Sequence, residues 1–76
     1  MWKEYIISDK HVLAGKPIVK GTRISVELIL ELLASGWTEQ QILESYPNLS
    51  VEALRAVYAY LRDCLQLELY FPIPAA

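Results

Sequence analysis

The chain has 76 residues, 54% of them hydrophobic, a formal net charge of −2, one cysteine and one histidine. That length allows one domain and no second, and the cysteine and histidine counts exclude an intramolecular disulfide and a closed zinc site. No apolar run reaches the ~18 residues of a membrane helix, and Met1-Trp2-Lys3-Glu4-Tyr5 lacks the basic start and apolar run of a signal peptide, so a cytoplasmic protein is expected.

A chain this small buries only roughly 60% of its unfolded surface. Without staples it needs a very apolar core, a partner chain, or both. Residues 1–24 read as a small β arm. Tyr5-Ile6-Ile7 is a short apolar run closed by Ser8-Asp9, and Val12-Leu13-Ala14 is a second. Gly15-Lys16-Pro17 marks a turn before the β-branched Ile18-Val19. Such strands are too short to stand alone.

From Ser25 the period changes. Ser25 is a good N-cap and Glu27 suits the positive end of the helix dipole, so a helix is predicted from Val26 to about Ser35. Gly36 stops it in a left-handed conformation, with Trp37 folding back on Leu32. Only Glu27, Glu31 and Ser35 form a polar stripe, so this helix is expected to be buried on more than one side. Thr38 with Gln41 forms a capping box for a second helix, ended near Tyr46 by Pro47. Ser50 caps a third, to about Gln66, whose stripe Leu54, Val57, Tyr58, Leu61 and Leu65 assigns those residues to the core. Tyr60 flanks that core, and Cys64 is a small semi-buried filler. Residues 25–66 thus form a three-helix domain, and residues 67–76 an extended apolar tail with two prolines.

A short helix, a turn over residues 47–50 and a longer amphipathic helix have helix-turn-helix spacing. In such a unit Ser50, Glu52 and Arg55 lead the third helix into the major groove, with Gln40 and Gln41 near the DNA backbone. Arg55 suits guanine and Glu52 cytosine. A plain helical bundle gives the same pattern. Charge bears on the choice: residues 1–23 carry five basic and two acidic side chains, while residues 24–76 carry two basic and seven acidic ones. The acidic whole opposes loose coating of nucleic acid, whereas a basic arm can still grip phosphate. No catalytic set is present, so no enzyme, metal or cofactor is expected. Gly15-Lys16 and Gly21-Thr22 stand in the wrong order for a phosphate loop, and His11 reads as solvated surface.

The run Gly15-Lys16-Pro17-Ile18-Val19-Lys20-Gly21-Thr22-Arg23-Ile24-Ser25 resembles the signature of a prokaryotic family catalogued as a domain of unknown function and grouped with VapB-type antitoxins. Residues 32–56, from Leu32-Leu33 through Gly36-Trp37-Thr38-Glu39 to Leu54-Arg55-Ala56, are similar to its second block. The resemblance implies a mainly α, homeodomain-like helix-turn-helix fold behind the β arm. It implies a homodimeric antitoxin that binds its own operator DNA and neutralises a toxin, a PIN-like ribonuclease, through its C-terminal segment. On this reading Lys16, Lys20, Arg23, Gln40, Gln41, Ser50, Glu52 and Arg55 face DNA, and Leu67, Leu69, Tyr70, Phe71 and Ile73 face a toxin or a second protomer. Arg23 has a structural alternative, locking the arm onto the first helix through backbone carbonyls. A protein-interaction module without DNA affinity is the other function class these residues allow.

Overall fold

The computed structural model describes residues 1–69 and 71–75. Two three-residue strands, β1 (Ile6–Ser8) and β2 (Pro17–Val19), pair antiparallel with Ile6 opposite Val19 and Ser8 opposite Pro17. Pro17, which cannot donate to the ladder, takes the first position of its strand, where it is tolerated. Alternation sends Ile6 into the core and leaves Ile7 at the surface on β1, whereas on β2 both Ile18 and Val19 are buried.

The run Val12-Leu13-Ala14 is not a strand. Asp9 begins a turn by accepting the His11 N–H on its carboxylate (2.9 Å). Leu13, Ala14 and Gly15 then follow with φ of 50°, 56° and 81°. The connection between β1 and β2 must reverse direction within eight residues, and this left-handed turn does so at the expense of local propensity.

After β2 the chain reverses again over residues 20–23. Val19 N–H donates to the Ile24 carbonyl (2.9 Å). Thr22 clamps the bend, its hydroxyl donating to the Val19 carbonyl (2.7 Å) and accepting from Ile24 N–H (3.0 Å). The bend delivers Ser25 to the start of α1 (Val26–Ala34), where its Oγ accepts the Leu28 N–H at 2.9 Å. At the other end Trp37 N–H reaches the Leu32 carbonyl (3.0 Å) and Gly36 N–H the Leu33 carbonyl (3.1 Å). Gly36 has φ +98°. This is a Schellman closure, which needs a left-handed residue there. The expected capping box is formed by Thr38 and Gln41 at α2 (Glu39–Ser45). Ser50 Oγ accepts Ala53 N–H (3.1 Å) to open α3 (Val51–Gln66).

The core is centred on Ile29, Ile42, Leu54 and Val57, which are fully buried, and is completed by Ile6, Val19, Ile24, Val26, Leu49, Ala53 and Ala56. Each large side chain of this set contributes about 1.5–3 kcal/mol by leaving water. The buried arc of α3 differs from the expected stripe. It is rotated toward Ala53, Ala56, Tyr60 and Cys64, while Tyr58 and Leu65 are exposed. The alanines let the N-terminal segment approach closely, and large residues alone mislocate that face. The short 3-10 turn Trp2–Glu4 packs there, with Trp2 edge-on to Tyr60 at a centroid distance of 4.9 Å. Among the described residues no helix is long and apolar enough to cross a membrane.

Candidate functional site

The residues expected to face DNA fall into three places. Lys20 and Arg23 share the bend between β2 and α1, both exposed. Thr22, lying between them, makes the side-chain bonds that hold the bend. The locking function considered for Arg23 therefore belongs to Thr22. Among the described residues no hydrogen bond or ion pair engages Arg23 or Lys20 through its side chain, so two cations project from a fixed turn.

Lys16 lies apart from them. Its Nζ sits 2.7 Å from Glu27 Oε1, and that bond raises the ammonium pKa. The pair lies on the rim of a shallow groove whose apolar wall is Pro17, Val26, Leu30 and Ala34. Leu28, Leu30, Leu32 and Leu33 of α1 are only half-buried. The apolar circumference of α1 is thus incompletely covered within one chain.

The third place is the outer side of α2 and α3. Three of the polar side chains assigned to DNA already have work there. Ser50 caps α3. Gln41 Oε1 accepts the Thr38 N–H (2.8 Å). Gln40 leans on Glu44 (3.4 Å), one turn along α2. Glu52 and Arg55 remain exposed and line a shallow groove between α3 and the N-terminal turn, beside Met1 and Glu4. Arg62 continues the exposed face, with Tyr58 between the two arginines. The Tyr58 hydroxyl donates to Glu39 Oε2 at 2.5 Å, and this bond pushes the phenol pKa up to about 12. Glu4, Glu39 and Glu52 dilute the positive field of Arg55 and Arg62. Sequence reading missed the Tyr58–Glu39 contact, because no local pattern announces a bond between residues 19 positions apart.

The tail assigned to a partner is open to solvent. Leu67, Leu69, Phe71 and Ile73 are 72%, 69%, 91% and 88% exposed; Tyr70 lies outside the described residues. Glu68, with φ 62°, closes α3 by a second Schellman turn, Leu69 N–H donating to the Cys64 carbonyl at 3.0 Å. The chain beyond it leaves the helix axis.

Residues 6–61, which hold the strands, the clamped bend and most of the helical domain, match a family described as proteins of unknown function, DUF433. The chain belongs to the DUF433 family. It is 33% identical over 58 residues to the uncharacterized protein y4eO of Sinorhizobium fredii, a match covering 76% of this chain and 26% of that protein. The chain therefore spans about a quarter of that relative's length. Its fold is also similar to the crystal structure of a DUF433 member from Anabaena variabilis, with a TM-score of 0.74 and 26% identity, over 82% of this chain and 61% of that one. The family match stops five residues short of the end of α3, so the open tail lies outside the shared DUF433 segment.

Proposed function

We propose that this DUF433 protein is an antitoxin-like partner-binding protein whose tail seats on a toxin of the PIN-like ribonuclease class. The tail carries this reading: four large apolar side chains between positions 67 and 73 are each more than two-thirds exposed. Exposed apolar residues in such a row are a surface awaiting cover. Pro72 and Pro74 each fix their own φ, which lowers part of the ordering cost of binding. The resemblance of residues 15–25 and 32–56 to VapB-type antitoxins, which lies outside the tail, suggests the class of partner. The test is co-expression with the product of the adjacent reading frame. A complex that is lost in a Phe71→Ser/Ile73→Ser variant supports the reading; a complex indifferent to both changes overturns it.

Operator binding is a second reading, favoured by the exposed cations Lys20, Arg23 and Arg55. On it, α2 and α3 act as a homeodomain-like helix-turn-helix with the bend as a phosphate contact, and a homodimer presents two copies of each. The capping duties of Gln41 and Ser50 narrow direct base readout to Glu52 and Arg55. A titration with the protein's own upstream DNA decides between this and an interaction module without DNA affinity. Salt-sensitive binding weakened by Arg55→Ala supports it, and no binding at low salt, alone or with the toxin, excludes it.

A further inference from the structure

We infer that the N-terminal turn Trp2–Glu4 is a strap that keeps the last turn of α3 folded, and that its release frees the root of the tail while the core stays intact. The inference deepens the reading of the tail as a partner-binding segment: the strap sets whether the tail leaves from a folded helix end or from a loose chain.

α3 is held unevenly along its length. Its four buried residues, Ala53, Leu54, Ala56 and Val57, lie in the first half. Past Leu61 none of its residues belongs to the core, and Arg62, Leu65 and Gln66 are exposed. A helix end with so little apolar burial opens at low cost. Among the described residues, the one side-chain hydrogen bond from this end to another element is that of Trp2 Nε1–H to Asp63 Oδ2. The edge contact of Trp2 with Tyr60 lies beside it. The strap has a firm base. Directly after it the Tyr5 carbonyl accepts the Lys20 N–H at 2.7 Å, next to the paired strands.

The root of the tail hangs on the strapped turn. Leu67 N–H donates to the Asp63 carbonyl (3.0 Å) and Leu69 N–H to the Cys64 carbonyl (3.0 Å). These bonds close α3 and set the direction in which the tail departs. Trp2 and Asp63 both lie outside residues 6–61, the segment that matches the family. Strap, helix end and tail thus stand together beyond the shared segment.

The experiment is hydrogen exchange at single amides, followed by NMR in low urea. It uses no partner, so its failure leaves the tail reading untouched. In the full chain the Leu67 and Leu69 amides are expected to exchange through an opening that depends weakly on urea. Those of Ile29 and Leu54 should need one that depends steeply, because only the second exposes the core. Trp2→Phe keeps a ring and removes the donor. It should speed exchange at Leu67 and Leu69 about tenfold, the factor of one hydrogen bond to a charged group. Asp63→Ala gives the sharper sign. Alanine is the better helix former and removes a negative charge from the C-terminal end, so simple fraying predicts slower exchange. The strap predicts exchange roughly threefold faster or more, with Ile29 and Leu54 still protected. Equal, steep urea dependence at all four amides overturns the inference. So does exchange at Leu67 and Leu69 that is unchanged or slower in Asp63→Ala.

Discussion

Trp2 and Asp63 are joined across 61 positions of sequence by a 2.6 Å hydrogen bond, the indole Nε1–H donating to the carboxylate Oδ2. The bond ties the first turn of the chain to the last turns of α3, and the Trp2 ring leans on Tyr60 beside it. The N-terminus is thereby part of the fold.

This tie is pH-dependent with a definite sign. The Trp2 hydrogen bond first, then Arg62, hold the Asp63 carboxyl below its ordinary value. A depressed carboxylate pKa contributes stability above the ordinary value and loses it as pH falls through the folded one. Trp2→Phe keeps a ring against Tyr60 but removes the donor. It should lower the melting temperature near neutral pH, and the deficit should shrink under acid. A deficit that does not change with pH would show that the bond to Asp63 is not its source.

The Tyr58–Glu39 bond acts at the opposite end of the pH scale. The phenol, ordinarily 10.0, is pushed to about 12. A raised folded pKa gives stability that is complete below pH 10 and is lost as pH climbs toward 12. Ultraviolet titration of Glu39→Gln should return one late-titrating tyrosine toward its ordinary value. Tyr58→Phe should remove that titration altogether.

Gly36 and Glu68 occupy equivalent positions in two Schellman turns, with φ of +98° and 62°. Left-handed backbone costs a non-glycine residue roughly 1 kcal/mol. Gly36→Ala should therefore destabilise the domain by about 1 kcal/mol in urea unfolding, although a Cβ there meets nothing within 4 Å. Glu68→Gly should be neutral or stabilising by less than ~1 kcal/mol, because added unfolded-state freedom offsets part of the relieved strain.

Ile42 is the only fully buried residue of α2. Ile42→Ala removes a core side chain and should cost about 2–5 kcal/mol. For a domain of this size that is a large share of the expected stability of roughly 4–11 kcal/mol. Urea unfolding should show the midpoint collapsing with little change in slope. A loss below ~1 kcal/mol would mean that α2 is not held through Ile42.

Local signals were well written in the sequence. Ser25, Thr38 and Ser50 each cap the helix predicted from them, and Gly36 ends α1 with the predicted geometry, because these bonds join residues only three to five apart. Position on the long helix was less legible. Leu54, Val57, Tyr58, Leu61 and Leu65 share a helical period, yet the buried arc includes Ala53 and Ala56 and leaves out Tyr58 and Leu65. Small residues mark close approach as much as large ones mark burial. The left-handed turn at Leu13 and Ala14 was hidden because its cause is the closure between β1 and β2. At the site, the capping bonds of Gln41 and Ser50 were legible as local patterns, whereas the Lys16–Glu27 pair, 11 positions apart, was not; Lys20, Arg23 and Arg55 carry no side-chain bond among the described residues. Composition cannot distinguish a free polar group from an engaged one.

Partner binding by the tail is the proposed role most directly open to measurement. The decisive measurement is RNA cleavage by the product of the adjacent reading frame, the proposed PIN-like ribonuclease, with the full chain or with Phe71→Ser/Ile73→Ser added at equal molarity. The prediction is that the full chain stops cleavage and the variant does not. Cleavage that continues unchanged with the full chain present, or stops equally with the variant, would contradict it.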